Sequence, residues 1–169
     1  MRIASAGFVL SCLLLGASYP VMAGPQTKYG VTVKTVQPAA LAKARTYVWA
    51  PSRPTFEKDV DRMIVAAVDR ELGTRGFTKR DAGPSDLVVM YDALGRTDLD
   101  LKAKPAKDGT LPEISVGTLV VELSEPANKQ VLYSVRMDTP IERDRATIEG
   151  AINAAVTAMF EKYPGPAKR

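Results

Sequence analysis

Hydrophobic residues recur along this chain with two spacings, one typical of strands and one of helices. Five segments have the alternating or continuous apolar pattern of strands: 29–33, 46–49, 86–91, 114–123 and 131–138. Two longer segments, 57–75 and 144–162, carry an apolar stripe at helical spacing. Gly76 and Phe77 follow the first of these helices and predict its C-terminal stop. The predicted order of elements is β-β-α-β-β-β-α.

These elements predict an α+β two-layer sandwich, in which a mixed, mostly antiparallel sheet of about five strands supports two amphipathic helices. The unit 46–91 predicts a parallel strand–helix–strand crossover, and the last three strands predict an antiparallel meander. The polar stretch 98–113 predicts a long, mobile hairpin connection. Because 86–91 is apolar at consecutive positions, we expect that strand to be covered on both faces. Both helices are expected on one side of the sheet. The other side is then polar, covered by the N-terminal segment or used by a partner.

The first residues have the three zones of a secretory signal peptide. Arg2 supplies the positive charge, 8–15 is apolar, and Ala23 ends a short stretch of the kind that signal peptidase cleaves. We therefore expect cleavage between Ala23 and Gly24 and a periplasmic mature chain. The predicted organisation is a signal peptide at 1–23, a single α+β domain at 24–164 and a basic tail at 165–169.

Cys12 is the only cysteine in the chain. The residues 9–12 loosely imitate a lipobox, which would make Cys12 the lipidated N-terminus of an outer-membrane lipoprotein. The interpretation that we prefer is an ordinary cysteine within the apolar zone, because the hydrophobic run continues through Leu15. Membrane contact is expected only in the lipidated form.

The composition excludes several chemistries. The chain contains no histidine, so imidazole bases, histidine-dependent triads and histidine-ligated metal sites are excluded. Cleavage after Ala23 would also remove the only thiol. The formal net charge of +4 is spread without a long block of like charge, which gives no support to nucleic-acid binding. We expect no enzyme activity, no cofactor and no metal site.

The predicted hairpin connection contains two groups of charged residues with alternative interpretations. Asp98 and Asp100 have the spacing of two oxygen ligands for Mg²⁺ or Ca²⁺, but we favour a solvated strand end. Lys102, Lys104 and Lys107 are the candidate contact for an anionic partner, which would be an envelope protein, a glycan or a lipid headgroup. The alternative for these lysines is an ordinary solubilising loop.

Four aromatic residues are candidates for a ligand groove, although aromatic residues at strand spacing are more often core: Tyr47, Trp49, Tyr91 and Tyr133. A second class of function would be a carboxylate-dependent hydrolase of cell-wall material. It would need two carboxylates in a cleft, one of them with a raised pKa. No two carboxylates in the sequence have a spacing that would place both of them in one cleft.

Several segments together resemble a known family: 46–49, the helical stripe that ends at Gly76 and Phe77, 86–91, and 117–123. This combination resembles the bacterial envelope family known as domain of unknown function 4136, over roughly residues 41–164. The resemblance implies a compact α+β domain that is secreted or lipid-anchored in the envelope of Gram-negative bacteria. It implies no catalytic residues. The resulting expectation is an exported, non-enzymatic binding or structural domain.

Overall fold

The structure is a computed structural model that describes residues 29–51, 57–141 and 145–164, without the side chains of 35–36 and 145–146. Its elements are β1 (Gly30–Val36), α1 (Pro38–Leu41), β2 (Thr46–Trp49), α2 (Lys58–Thr74), β3 (Thr78–Lys79), β4 (Leu87–Leu99), β5 (Glu113–Ser124), β6 (Val131–Pro140) and α3 (Arg145–Glu161).

The strands form one mixed sheet of six strands in the order β1-β6-β5-β4-β2-β3. β2 runs parallel to both β4 and β3, and the other neighbouring strands are antiparallel. The predicted α+β class, the parallel crossover from β2 to β4 and the final meander are confirmed. The predicted strand count was low by one because β3 has only two residues, too few to produce an alternating pattern.

Helix α2 ends as the sequence predicts. Gly76 has φ of 83°, a conformation that favours glycine, and its N–H donates to the carbonyl of Gly73 at 3.0 Å. The N–H of Phe77 then donates to the carbonyl of Leu72 at 3.1 Å, which closes a Schellman turn. Phe77 is buried, so the turn also returns the chain to the core.

Both long helices pack on the same face of the sheet, which we call the inner face. The hydroxyl of Tyr91 in β4 donates to Asp61 of α2, and that of Tyr133 in β6 donates to the carbonyl of Met159 in α3. The core between the layers is formed by apolar residues that are almost completely buried: Val68, Leu72, Leu87, Val89, Val121, Leu123, Val135, Val156 and Phe160.

The expectation that strand 86–91 is covered on both faces was wrong. Leu87, Val89 and Tyr91 point to the inner face and are buried, whereas Met90 on the opposite, outer face is 36% exposed. The physical reason is that α2 and α3 share one face, so no long helix among the described residues is left to cover the other one.

Candidate functional site

The two long helices are fixed to each other near their C-terminal ends. Arg75, the residue directly after α2, forms a buried ion pair with Glu71, with 2.6 Å between Nη1 and Oε2. The other carboxylate oxygen of Glu71 accepts a hydrogen bond from the hydroxyl of Thr157 in α3 at 2.7 Å. Nη2 of Arg75 also donates to the carbonyl oxygen of Phe160 at 2.7 Å. These contacts hold α2 against α3 at one end of the helical layer.

At the other end, the inner face of the sheet changes from large to small side chains. Tyr91 and Val121 are buried beneath the helices, but farther along the same face β4 carries Ala93 and Gly95, and β5 carries Gly117 after Leu119. Glycine within a strand loses packing, and it often marks a place where another group approaches closely. The floor beneath the N-terminal halves of α2 and α3 is therefore low, which leaves space between the sheet and the helices.

A groove of about 350 Å³ lies over this floor. We call it the interhelical groove. Its walls are largely aliphatic side chains from both helices and from the sheet: Val60, Ile64, Leu119, Met137, Ile148 and Ile152. Small-molecule sites are commonly apolar concavities of 300–1,000 Å³, and this groove has that size and character.

The glycines on the floor have different surroundings. A Cβ atom at Gly117 would meet Cγ1 of Ile141 at 3.0 Å, so that position is already covered by a side chain. A Cβ atom at Gly95 would meet nothing within 4 Å. Ile141 and Leu94, which also line the groove, are 42% and 65% exposed. The free volume of the groove is thus above Gly95, with the exposed side chain of Ile141 at its margin.

The groove has little charge of its own. Among the described residues that line the groove, Glu57 is the only charged one, and it is exposed. Asp61 lies nearby on α2, but its carboxylate accepts the hydrogen bond of the Tyr91 hydroxyl. The groove therefore suits an apolar group and offers, among the described residues, no pair of carboxylates for acid–base chemistry.

A second depression, of about 460 Å³, lies at the opposite end of the sheet between α1 and the β5–β6 turn. Its lining includes Lys43, Asp86 and Glu125. Oδ2 of Asp86 accepts the backbone N–H groups of Arg45 and Thr46, both at 2.9 Å, and these bonds lower the pKa of its carboxyl. Asp86 therefore has a structural role, and we regard the interhelical groove as the better candidate site.

The outer face of the sheet carries an ionic network. Oδ1 of Asp138 in β6 accepts hydrogen bonds at 2.6 Å from Nη1 of Arg96 in β4 and from the hydroxyl of Thr118 in β5. Nε of Arg136 donates to the other oxygen of Asp138 at 2.6 Å. Arg96 also pairs with Asp98 at 3.2 Å. The network joins three adjacent strands through their side chains.

The hydrogen bonds from Arg136, Thr118 and Arg96 hold the pKa of the Asp138 carboxyl far below its ordinary value. A carboxylate that is so firmly ionised cannot supply a proton near neutral pH. The network is consequently a structural feature of the outer face and does not provide the general acid that a hydrolase requires.

A family model for "Domain of unknown function (DUF4136)" matches residues 31–165, which is most of the chain and all of the sheet and helical layer except Gly30. The chain belongs to this family. The resemblance expected from the sequence is thereby confirmed. A search of curated proteins finds no match.

Two solved structures show how the DUF4136 fold compares with others. The PelC dodecamer from Paraburkholderia phytofirmans is 15% identical, with a TM-score of 0.53 over 81% of this chain and 98% of that one. A PDZ domain protein from Parabacteroides distasonis is 14% identical, with a TM-score of 0.51 over 80% of this chain and 35% of that one. At these identities the likeness establishes a shared fold. Within the described residues, no helix of this DUF4136 domain has the length and hydrophobicity needed to cross a bilayer.

The predicted anion-contact residues lie in the connection between β4 and β5. Lys102, Lys104 and Lys107 are all exposed there, and none of them lines the groove. The structure does not bring them to the groove. Their role as a contact for an anionic partner stays a prediction. Cys12 and the predicted cleavage position between Ala23 and Gly24 lie outside the described residues.

The carboxylates considered as cation ligands have other partners. Asp98 accepts a hydrogen bond from Arg96, and Oδ1 of Asp100 accepts the backbone N–H of Lys102 at 2.9 Å. In the part of the chain that the structure describes, no group of three or more acidic or other metal-ligating side chains converges.

The aromatic residues considered for a ligand groove belong to the core of the DUF4136 domain. Tyr47, Tyr91 and Tyr133 are 3% exposed or less. The hydroxyl of Tyr47 and Nε1 of Trp49 both donate to Oδ1 of Asp69, at 2.7 and 2.8 Å. The interpretation as core residues, which the sequence favours, is confirmed, because the helices cover the strand positions that carry them.

The residues that form the interhelical groove were missed by sequence reasoning. The available signal was the presence of Gly95 and Gly117 within strand patterns, since glycine inside a strand is unfavourable unless a close approach or a bend requires it. In β4 the signal was hidden because the predicted strand stopped at Tyr91, four residues before Gly95.

Proposed function

We propose that this DUF4136 domain is an exported, non-enzymatic binding domain of the bacterial envelope that holds a small apolar ligand in the interhelical groove. The observation that carries the proposal is the open space above Gly95 between aliphatic walls. An apolar group that enters this space leaves water and gains about 25 cal/mol for each Å² of apolar surface that becomes buried.

Export to the periplasm is supported by the signal-peptide pattern of residues 1–23 and by the family of the chain. In that compartment the available apolar groups are chiefly acyl chains and the aliphatic parts of envelope components. The groove is suited to such groups because its walls carry little charge.

The absence of a catalytic role is supported by the state of the buried carboxylates. Glu71 is ion-paired with Arg75, and Asp138 is held by Arg96 and Arg136. A carboxylate-dependent hydrolase needs one carboxyl group that is kept protonated in a cleft. Ion pairing has the opposite effect, because it favours the ionised form.

Filling the groove tests the proposal directly. We expect the apolar fluorescent probe N-phenyl-1-naphthylamine to bind the wild-type protein saturably with one site per chain. Gly95→Leu should weaken this binding by about tenfold or more, since the leucine side chain would occupy the space that the probe requires. The affinity is measured by fluorescence titration, and the fold is checked by circular dichroism.

The matched control is Gly73→Leu. Gly73 is also exposed, and a Cβ atom there would likewise meet nothing within 4 Å, but it lies near the C-terminal end of α2 and does not line the groove. This variant should bind the probe as the wild type does. Equal binding by Gly95→Leu and wild type, or no saturable binding by the wild type, would contradict the proposal.

A further inference from the structure

The β4–β5 hairpin extends past the end of the neighbouring strand β6. The last pairing between β5 and β6 joins Val116 to Pro140. Beyond it, β4 and β5 continue to pair through Thr97 with Ser115 and onward to Leu99 with Glu113. We call residues 97–115 the hairpin arm and its connecting segment, 100–112, the tip of the arm.

The tip is organised by hydrogen bonds to its own backbone. At its base, the N–H of Asp100 donates to the carbonyl of Pro112 at 2.8 Å. At its end, the N–H of Gly109 donates to the carbonyl of Ala106 at 2.9 Å, and Oδ1 of Asp108 accepts the N–H of Thr110 at 3.0 Å. The tip therefore presents its side chains on a hydrogen-bonded frame.

Within this frame the acidic side chains bond to the backbone, whereas the basic side chains are exposed to the solvent. The carboxylates of Asp100 and Asp108 each accept a backbone N–H two residues further on. The ammonium groups of Lys102, Lys104 and Lys107 are exposed, and none of them forms an ion pair with a described residue. The tip thus offers three cations to the solvent and carries a net charge of +1, three lysines against two aspartates, and each carboxylate also bonds to the backbone.

Two large apolar side chains accompany these cations. Leu99 is 50% exposed and Leu101 is 68% exposed, which makes Leu101 the most exposed large hydrophobic residue in the described part of the chain. A soluble anion or a glycan would pair with the lysines and leave the leucines in water. The surface of an anionic bilayer accommodates both, because phosphate headgroups lie directly above apolar acyl chains.

We propose that the tip of the hairpin arm binds the surface of anionic phospholipid bilayers. The ammonium groups of Lys102, Lys104 and Lys107 pair with headgroup phosphates, and Leu99 and Leu101 enter the boundary between headgroups and acyl chains. This surface is separate from the interhelical groove, so the inference does not depend on the ligand proposed there.

Vesicle sedimentation with the full exported chain tests this inference. We expect binding to vesicles of equimolar phosphatidylcholine and phosphatidylglycerol, and little binding to vesicles of phosphatidylcholine alone. The triple variant Lys102→Glu, Lys104→Glu, Lys107→Glu should lower the partition coefficient by about tenfold or more. Its matched control reverses three exposed lysines outside the arm, as Lys34→Glu, Lys43→Glu and Lys162→Glu, and changes the net charge equally. The control should retain most of the binding.

A second pair of variants separates lipid from other anions. Leu101→Ser should weaken vesicle binding several-fold, whereas Met90→Ser, at an exposed apolar side chain outside both the arm and the groove, should not. Single Lys→Gln variants at the three arm positions should each weaken vesicle binding. They replace the triple variant in the test if the triple variant is poorly folded. The inference is overturned if the wild type ignores anionic vesicles or if the two triple variants lose binding equally. It is also overturned if Leu101→Ser binds normally and soluble heparin competes, because that result assigns the tip to anionic glycans.

Discussion

At the scale of single residues, two buried tyrosines in contact differ in one hydrogen bond. The rings of Tyr133 and Tyr163 meet edge to face with centroids 5.3 Å apart. The hydroxyl of Tyr133 donates to the carbonyl of Met159 at 2.8 Å, whereas the buried hydroxyl of Tyr163 has no hydrogen-bond partner among the described residues. Burial also raises the pKa of Tyr163 to about 12, which keeps this hydroxyl neutral. A buried polar group without a partner is a net cost to stability.

We therefore expect Tyr163→Phe to raise the free energy of unfolding by about 1 kcal/mol, because it removes that uncompensated hydroxyl. Tyr133→Phe, the matched control in the same cluster, should lower it by about 1 kcal/mol, because it leaves the carbonyl of Met159 without its donor. Urea denaturation at neutral pH measures both values. A loss of stability in Tyr163→Phe as large as that in Tyr133→Phe would show that the Tyr163 hydroxyl is satisfied.

At the scale of elements, the buried guanidinium of Arg75 holds the two long helices together. Arg75→Met should lower the free energy of unfolding by about 3 kcal/mol, because it leaves the Glu71 carboxylate buried without a counterion. The double variant Glu71→Gln, Arg75→Met should recover part of this loss.

Arg70→Met is the control. It removes an exposed contact between the same helices, from Arg70 to Asn153 at 3.1 Å, and should cost well under 1 kcal/mol. Equal losses in Arg70→Met and Arg75→Met would contradict this account.

The elements also show which parts of the fold a sequence pattern can predict. The predicted strand 46–49 has the bounds of β2, and the predicted helices differ from α2 and α3 by one residue at each end. These elements carry dense apolar residues at one clear spacing. The second half of β4 does not, because its inward residues Ala93 and Gly95 are small and, on the outer face, Leu94 lies between Asp92 and Arg96. The interhelical groove could not be predicted from the sequence for the same reason, since it depends on small residues in β4 and β5 that are distant in sequence.

At the scale of the whole molecule, the two faces of the sheet are stabilised by different interactions. The inner face is held by the burial of apolar side chains beneath α2 and α3. The outer face has no long helix among the described residues, and three of its neighbouring strands are joined by the network around Asp138. Burial of apolar surface does not depend on protonation, but the ionic network does. The response of global stability to acid should therefore report mainly on ionised groups such as Asp138.

Asp138 allows this dependence to be tested. Because the folded protein lowers the pKa of this carboxyl, its contribution to stability is complete above the unfolded value of about 3.9 and is lost progressively as the pH falls below it. Between pH 6 and pH 3 the wild type should thus lose about 1 kcal/mol more unfolding free energy than Asp138→Asn, whose side chain cannot titrate. Urea denaturation at both pH values measures the difference.

Thr118→Val removes an uncharged donor to the same carboxylate and retains both ion pairs. It should lower stability at both pH values and keep most of the wild-type pH dependence, and a slope as shallow as that of Asp138→Asn would contradict the assignment to the Asp138 charge.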